Sequence, residues 1–389
     1  MRRAPGFASA TPVLVAVLLS GCAVSGSYVR EGLDDVAVHE PAAELVDTRL
    51  LLLGDTGYPR LDGPEPVFAT LAADAALLPE RTWILLLGDN IYPHGLPPAG
   101  ADDRQLAEQR LRLQVEGLLP AGARVVFVPG NHDYAYDGWP GMQRQREYLE
   151  GLHEPRLQVL PAAGCPGPEV VDAGDRLRLV VLDTQWWFQD GEKPLDPHSS
   201  CPADSPEEIL GALRDAIGGA GERRVVVVGH HPLFSHGSHG GHFTWRQHVF
   251  PLVDASSWAW LPLPVVGSLY PIARWCGIAE QDFSSGVYED LRDRLGGVLR
   301  EQPALLYASG HEHSLQVLEQ PGAAAYVVTG AGTVIRPDPV GRGDDTQFVS
   351  GAAGYMRLDL LRDGRAWLQA VEVDDDGRSR RPFATWLGR

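Results

Sequence analysis

The sequence predicts an α/β fold in which two mixed β-sheets pack together between outer helices, a four-layer αββα sandwich. Three continuous apolar runs, residues 50–53, 84–87 and 125–128, have the length and composition of buried strands. Helices are predicted between them, at about residues 65–78 and 103–118. Because strands that alternate with helices usually pair in parallel, these segments predict a parallel sheet.

The second half of the chain repeats this pattern less regularly. Residues 177–182 and 225–228 are predicted strands on either side of a helix near residues 206–218. Closely spaced strands, which favour antiparallel pairing, are predicted at residues 304–308, 315–318, 325–328, 355–361 and 366–373. With 389 residues, 44% of them hydrophobic, the chain can form one large domain or two small ones, and we assign residues 46–389 to a single domain.

The first residues have the features of a targeting segment. Two arginines precede an apolar run, residues 13–19, that is too short for a permanent membrane span. The run ends in Leu-Ser-Gly-Cys22, which resembles the box of bacterial lipoproteins, whose cysteine is lipidated. The resemblance implies a signal peptide over residues 1–21 and a lipidated tether over residues 22–45. It also implies an exported lipoprotein on the periplasmic or cell-surface face of a membrane.

The other cysteines are Cys165, Cys201 and Cys276. An exported protein can keep disulfides, and Cys165 and Cys201 flank one loop-rich stretch, so they are the candidate pair. The odd number leaves Cys276 either free or in competition for one of them.

An uncharged stretch, residues 255–273, interrupts the second half of the domain. Its length would allow a membrane span, but each of its three prolines removes a backbone hydrogen bond. We therefore predict an inserted cap or lid at about residues 250–288. Its tryptophans, Trp258, Trp260 and Trp275, either form the core of the insert or contact a membrane surface.

Side chains with metal-binding chemistry follow five of the predicted strands. They are Asp55, Asp89, Tyr92, Asn131, His132, His230, His311 and His313. Carboxylate, amide, imidazole and phenol groups form a mixed oxygen and nitrogen set that suits iron, manganese or zinc. One carboxylate shared between two ions would hold them roughly 3.5–4 Å apart. Each motif alone is weak, but five in one order after apolar runs indicate a dinuclear site.

The five motifs resemble those of the calcineurin-like metallophosphoesterase superfamily, and within it the purple acid phosphatases. They read GDTG at 54–57, GDNIY at 88–92, GNHD at 130–133, VVGH at 227–230 and GHEH at 310–313. The group's pattern is GDxG, GDxxY, GNH(D/E), VxxH and GHxH. The tyrosine of the second motif is the discriminating feature, because most other branches lack it.

The resemblance implies a role for each residue. Asp55, Asp89, Tyr92 and His313 would hold the first metal, and Asp89, Asn131, His230 and His311 would hold the second. His132 would face the substrate and help to protonate the leaving oxygen. His239 lies nine residues after His230, where the small, mammalian-like branch has a further substrate histidine.

The tyrosine also carries a prediction about the metals. A phenol must lose a proton of pKa about 10 to bind a metal, which favours a hard trivalent ion. Tyr92 therefore predicts Fe(III) paired with Fe(II), Zn(II) or Mn(II).

The implied activity is hydrolysis of phosphate esters, as an acid phosphomonoesterase in which a metal-bound hydroxide attacks phosphorus and histidines protonate the leaving group. The expected partner is a phosphorylated small molecule, and a net charge of −18 argues against a nucleic-acid surface. An alternative keeps the site for a phosphodiester, a nucleotide or a phospholipid head group. Another alternative is a non-catalytic, metal-binding surface lipoprotein. The sequence predicts no particular oligomeric state.

Overall fold

The computed structural model of this protein describes residues 23, 26–33, 39–195, 199–252, 260–263, 266–335 and 337–388. The predicted signal peptide and Cys22 lie outside these residues. Within them the strands are β1 (Tyr28–Val29), β2 (Val46–Leu53), β3 (Thr82–Leu87), β4 (Arg124–Val128), β5 (Leu157–Val159), β6 (Glu169–Ala173), β7 (Leu177–Val181), β8 (Arg224–Val228), β9 (Ala304–Ser309), β10 (Leu315–Leu318), β11 (Ala323–Thr329), β12 (Thr346–Ser350), β13 (Gly354–Leu361), β14 (Ala366–Val373) and β15 (Ser379–Leu387). The α-helices are α1 (Pro66–Ala76), α2 (Arg104–Leu118), α3 (Asn131–Tyr134), α4 (Trp139–Glu150), α5 (Pro206–Gly218), α6 (Trp245–Val249), α7 (Leu269–Trp275) and α8 (Gly286–Glu301).

The strands form two mixed sheets, as the sequence predicts. The first sheet has the order β15-β14-β13-β2-β3-β4-β5, and β2 to β5 are parallel. The second has the order β1-β12-β10-β11-β9-β8-β7-β6, with β7, β8, β9 and β11 parallel. The carboxyl ends of parallel strands are where open α/β sheets bind ligands.

Alternate residues of the central strands face different layers. In β2, Leu50 and Leu52 join the apolar core between the two sheets. Leu51 and Leu53 instead pack with the core under α1, α2 and α4. A third core lies between the second sheet and the helices α5 and α8. Because both faces of β2 are buried, its second half, residues 50–53, is a continuous apolar run rather than an alternating one. The predicted αββα sandwich is confirmed.

The structure differs from the sequence prediction at two strands. Tyr28 and Val29, within the predicted tether, form β1 and pair with Val349 and Phe348 of β12. The strand β9 pairs in parallel with β11, not antiparallel, because the short β10 lies on the far side of β11. The short spacing between β9, β10 and β11 in the sequence predicts antiparallel pairing of neighbouring strands, and β10 and β11 do form this hairpin. The same spacing does not indicate that β9 pairs with β11.

Buried charges connect the last strands to the first. Asp359 of β13 accepts hydrogen bonds from Arg49 of β2 at 2.7 and 3.0 Å and from Arg357 at 2.6 and 3.1 Å. Arg49 also donates to the carbonyl of Asp74 in α1 at 2.9 Å. The Asp359 side chain is fully buried and both guanidinium groups are 1% exposed, so this cluster lies between the first sheet and its helices.

Cys165 and Cys201 form a disulfide that connects positions 36 residues apart. The Cys276 thiol is free and exposed. This disulfide is the one for which the sequence gives the candidate pair. It connects the segment just before β6 to the loop before α5.

The insert contains α7, which packs beside the loop that contains His239, and α6 lies just before the insert. A Cβ atom on Gly241 would lie 2.8 Å from the Trp275 ring, which shows how closely the two segments approach. The interpretation that its tryptophans form a core is wrong for Trp260 and Trp275, because they are 52% and 64% exposed. Trp258 lies outside the described residues. Among the described helices, none is long and apolar enough to cross a membrane.

Candidate dinuclear metal site

The predicted metal ligands come from both sheets and meet at one edge of the sandwich. Asp55, Asp89 and Asn131 follow the neighbouring parallel strands β2, β3 and β4 of the first sheet. His230 and His311 follow β8 and β9 of the second sheet. The parallel strands end at the same edge, so residues far apart in sequence converge.

Local backbone geometry turns these side chains towards one another. Asp55, Asp89 and His311 have φ values of 59°, 56° and 70°, in the left-handed region that non-glycine residues rarely adopt. Such conformations cost on the order of 1–3 kcal/mol each and are concentrated at functional sites. The surrounding fold therefore holds three donors in conformations that the chain alone would disfavour.

The motif glycines are required by close approach. A Cβ atom on Gly88 would lie 2.3 Å from Nδ1 of His230, and one on Gly130 would lie 2.2 Å from the backbone nitrogen of Asp89. These gaps have no room for a methyl group, so only glycine allows the neighbouring turns to approach.

Three of the predicted metal ligands surround the hydroxyl of Tyr92. Its oxygen lies 2.7 Å from Oδ1 of Asp55, 2.9 Å from Oδ2 of Asp89 and 3.0 Å from Nε2 of His313. Nε2 of His313 is 3.4 Å from Oδ1 of Asp55. These four residues are the set that the sequence assigns to the first metal.

The other set surrounds the side-chain oxygen of Asn131. This Oδ1 atom lies 2.8 Å from Nε2 of His230 and 3.0 Å from Nδ1 of His311, and the two imidazole nitrogens are 3.2 Å apart. Oδ1 of Asp89 lies 3.4 Å from Nε2 of His230. Asp89 therefore contributes one carboxylate oxygen to each set, as a bridging ligand would.

The donor chemistry fits two cations. The single hydrogen of a phenol cannot serve two carboxylates and an imidazole at once, whereas a cation among them would satisfy all three. Donors that share an ion at about 2.0–2.2 Å stand about 3 Å apart, as these do. Buried like-charged or electron-rich groups this close need a compensating charge.

The protonation of these groups follows from burial and from their neighbours. Burial alone would raise the pKa of Asp89, but the nearby His230 and His132 lower it to about 2. Burial lowers the pKa of His311 well below its usual value. Burial would also lower the pKa of His313, but Asp338 and Asp55 raise it to about 10 through hydrogen bonds and charge. Metal ligands must be deprotonated, so Asp89 and His311 are ready to bind and His313 would release a proton.

His132 lies beside the first donor set, and its ring centroid is 4.4 Å from that of Tyr92. Nδ1 of His132 lies 2.7 Å from the carbonyl oxygen of Pro93, which can only accept, so Nδ1 carries the hydrogen. Nε2 is therefore the ring atom that remains for a substrate.

His239 lies on the other side of the site, with its ring centroid 4.2 Å from that of His311. Its Nδ1 atom is 2.8 Å from Nη2 of Arg274 in the insert. The structure thus brings both predicted substrate histidines to the metal donors.

His231 was not a predicted ligand, although it lies close to His230 and His311. Its Nδ1 is 2.8 Å from Oγ1 of Thr184 and its Nε2 is 2.8 Å from Oε1 of Gln281. Because both ring nitrogens already have hydrogen-bond partners, His231 packs against His230 and His311 and is not counted as a metal ligand.

Other residues that sequence reasoning gave no role prove to hold the motifs in place. The buried carboxylate of Asp133 accepts from the backbone nitrogens of Gly130 and Asn90 at 2.8 and 2.9 Å. Burial and the nearby Asp89 raise the pKa of Asp133 to about 7. Glu312 accepts from the backbone nitrogen of His239 at 3.0 Å. Each carboxylate belongs to one of the five motifs and adjoins a predicted site residue, His132 for Asp133 and both His311 and His313 for Glu312, and this position was the signal that could have identified it.

The family comparison agrees with this geometry. Residues 48–315 match the model of the calcineurin-like phosphoesterase family, and the chain belongs to that family. The protein is thus a phosphoesterase hydrolase whose family implies a dinuclear metal site. No curated protein sequence matches the chain significantly.

Two solved structures, with TM-scores of 0.50 and 0.51, share the fold at low sequence identity. A purple acid phosphatase, PPD1, from yellow lupin (Lupinus luteus) seeds is 11% identical, with a TM-score of 0.51 over 87% of this chain and 53% of its own. GAP50, the anchor in the inner membrane complex of Plasmodium, is 14% identical, with a TM-score of 0.50 over 87% and 90%. A dimetal phosphatase from Danio rerio is 14% identical, with a TM-score of 0.49 over 87% and 99%.

Proposed function

We propose that the protein is an exported acid phosphomonoesterase of the purple acid phosphatase type, anchored by a lipid at Cys22. The observation that supports the branch is the contact of the Tyr92 hydroxyl with Asp55, Asp89 and His313, at 2.7, 2.9 and 3.0 Å. The export and the anchor are supported by the sequence at residues 13–22.

The residues that would hold the two ions are the two donor sets. Asp55, Asp89, Tyr92 and His313 would bind Fe(III), and Asp89, Asn131, His230 and His311 would bind Fe(II), Zn(II) or Mn(II). Bound cations at these positions would supply charge neutralisation for the phosphoryl group and would acidify water.

The chain's own histidines would orient the ester and move the proton. Among the described residues, none forms a hydrogen bond with Nε2 of His132, which lies beside the first set, so we assign to this atom the proton that the leaving oxygen receives. His239 approaches from the opposite side, above His311, where it can contact a phosphoryl oxygen. The ester would therefore lie between the two rings, over the paired donors.

The variant Tyr92→Phe tests the iron assignment. Purified protein should show a visible absorption band from an iron(III)–tyrosinate, and this band should disappear in Tyr92→Phe because phenylalanine has no ligand oxygen. Metal analysis and a visible spectrum measure both effects. Tyr58→Phe, which removes a hydroxyl from a half-buried ring near the same loop, is the control and should keep the band. A colourless, fully active zinc or manganese protein would refute the iron prediction and leave hydrolysis standing.

The variant His132→Ala tests the proton donor. It should keep its metals but lose turnover by about 10²–10⁴-fold on alkyl phosphates, whose leaving groups need a proton. The loss should be smaller on p-nitrophenyl phosphate, whose leaving group is stable as an anion. The exposed His94, from the same loop, gives the control His94→Ala with unchanged turnover. If His132→Ala keeps its full rate on alkyl phosphates, the assigned role is wrong.

A phospholipid head group is a second candidate substrate, because exposed apolar side chains of the insert lie beside the site. Leu269 and Trp275 of α7 are 61% and 64% exposed. Exposed aromatic and aliphatic side chains of this kind suit the interface of a bilayer.

This candidate predicts vesicle binding that depends on the insert. In full-length Cys22→Ser protein, which lacks the lipidation site, Leu269→Ser with Trp275→Ser should lower binding to phosphatidylcholine vesicles by about tenfold, since two apolar side chains no longer leave water. The control Leu77→Ser removes a side chain that is 64% exposed elsewhere. Equal binding by all three proteins in a sedimentation assay would eliminate the lipid-directed candidate.

A further inference from the structure

The insert supplies one charged side chain to the site. Arg274, in α7, donates from Nη2 to Nδ1 of His239 at 2.8 Å and forms a close ion pair with Asp282. The guanidinium is 15% exposed and the Asp282 carboxylate is fully buried. Asp282 also accepts from the backbone nitrogen of Ala279 at 3.0 Å, so the pair is fixed from both sides.

The backbone of His239 is held as firmly as its ring. Its N–H donates to Oε1 of Glu312 at 3.0 Å, and its carbonyl accepts from the N–H of Phe283 at 3.1 Å. The ring lies over His311 with a centroid separation of 4.2 Å. Among the described residues, none forms a hydrogen bond with Nε2 of His239, which is the ring atom left for a substrate.

The partner of Nδ1 decides which ring nitrogen carries the hydrogen. A guanidinium only donates, so Nδ1 must accept and the hydrogen of a neutral ring lies on Nε2. The carboxylate of Asp282 is 3.6 Å from Nδ1, beyond hydrogen-bond distance, and the guanidinium lies nearer. Without Arg274, Asp282 would be the nearest polar group and would favour the opposite tautomer.

We propose that Arg274 is a positioning residue for the reaction: it holds His239 with an N–H at Nε2 that donates a hydrogen bond to a phosphoryl oxygen of the ester. This inference rests on the proposed phosphomonoesterase function. The insert would then contribute to the active site, because the orientation of His239 depends on Arg274, which lies 35 positions later in the chain.

The test variant removes the Arg274 guanidinium together with the buried Asp282 carboxylate, which would otherwise lose its ion-pair partner. The double variant Arg274→Met with Asp282→Asn keeps the approximate shape of the pair and removes both charges. Arg246→Met is the matched control, since Arg246 lies in α6, just before the insert, and stacks on Trp260 of the insert at 4.2 Å. Metal content and thermal unfolding of each protein establish that the fold is retained.

Kinetics with p-nitrophenyl phosphate give the first result. The double variant should lower kcat about tenfold with little change in KM, as expected for one hydrogen bond made mainly in the transition state. In a His239→Ala background the same double change should alter kcat less than about twofold, because Arg274 acts through His239. Arg274→Lys, which keeps a donor and a charge, should recover part of the loss. An equal tenfold loss in the His239→Ala background would overturn the proposal, as would no loss in the parent.

Nitrogen-15 NMR of the histidine rings in zinc-loaded protein gives a result that does not depend on turnover. The parent and Arg246→Met should show His239 with its hydrogen on Nε2, and the double variant, which has neither the guanidinium nor the carboxylate beside Nδ1, should show a mixture of the two tautomers. A parent with hydrogen on Nδ1 would refute the positioning role. If the expected tautomer is found and no phosphoester is hydrolysed, the proposed function fails while the contact stands.

Discussion

Asp89→Asn is expected to abolish metal binding at both positions and to lower turnover of a phosphomonoester by about a thousandfold or more. The two oxygens of Asp89 face different donor sets, at 2.9 Å from the Tyr92 hydroxyl and 3.4 Å from Nε2 of His230. An amide offers one neutral oxygen, so neither ion would keep its shared anionic ligand. Loss of the several kcal/mol that metal ions contribute to a transition state corresponds to this factor.

Asparagine is the substitution that isolates charge from backbone effects. Asp89 has a φ of 56°, and asparagine tolerates this left-handed conformation well. Metal content by mass spectrometry and turnover of p-nitrophenyl phosphate are the measurements. Asp62→Asn, at an exposed aspartate in the loop after the first motif, should change neither. An Asp89→Asn protein with two ions and full turnover would remove the bridging role.

Asp359→Asn should lower the free energy of unfolding by about 3–5 kcal/mol, the usual cost of breaking a buried ion pair from one side. Asp359 is the shared acceptor of Arg49 and Arg357, whose side chains are 1% exposed. The amide would leave the buried Arg49 guanidinium without its anion and Arg357 with the half-exposed Glu40 as its remaining anionic partner. Chemical denaturation measures the change, and activity of the remaining folded protein should be close to normal.

The control for this prediction is an exposed ion pair in the turn between β13 and β14 of the same sheet. Asp363 and Arg365 have side chains that are 53% and 59% exposed, and such pairs contribute roughly 0–1 kcal/mol. Asp363→Asn should therefore change the free energy of unfolding by less than about 1 kcal/mol. A similar small change in Asp359→Asn would show that water reaches the guanidinium groups and that the cluster is not a buried one.

The parts of the fold that the sequence predicts are those with both faces buried. β2, β3 and β4 contain the continuous apolar runs 50–53, 84–87 and 125–128, and each run is followed by a glycine or by a proline and a glycine, so both the strands and the polar side chains after them were visible. The strand β15 has exposed arginines at Arg380 and Arg381, and its pattern carries little hydrophobic signal. Strands of this kind, at the edge of a sheet, are defined by their neighbour rather than by their own sequence.

The residues of the site also divide into those that the sequence predicts and those that it does not. Each predicted metal donor follows a strand end, and the geometry of parallel sheets carries it to the common edge. Arg274 does not follow a strand, and its contact with His239 depends on how the insert folds back. Nothing in the local sequence marks such a contact, because a lone arginine after an apolar stretch has many ordinary uses. Gln281, which meets His231, was missed for the same reason.

The chain order of the strands has a consequence for how the protein forms during synthesis. All the predicted metal donors have left the ribosome once His313 has emerged, yet β13, the neighbour of β2, comes later. Arg49 and Asp359 are 310 positions apart, so one edge of β2 stays unpaired until nearly the whole chain is made. Contacts this distant form slowly, and an exposed strand edge invites wrong pairing in the meantime. The nascent chain would thus contain all the predicted metal ligands before the first sheet is complete. The last strands to be made complete the sheet that positions those ligands.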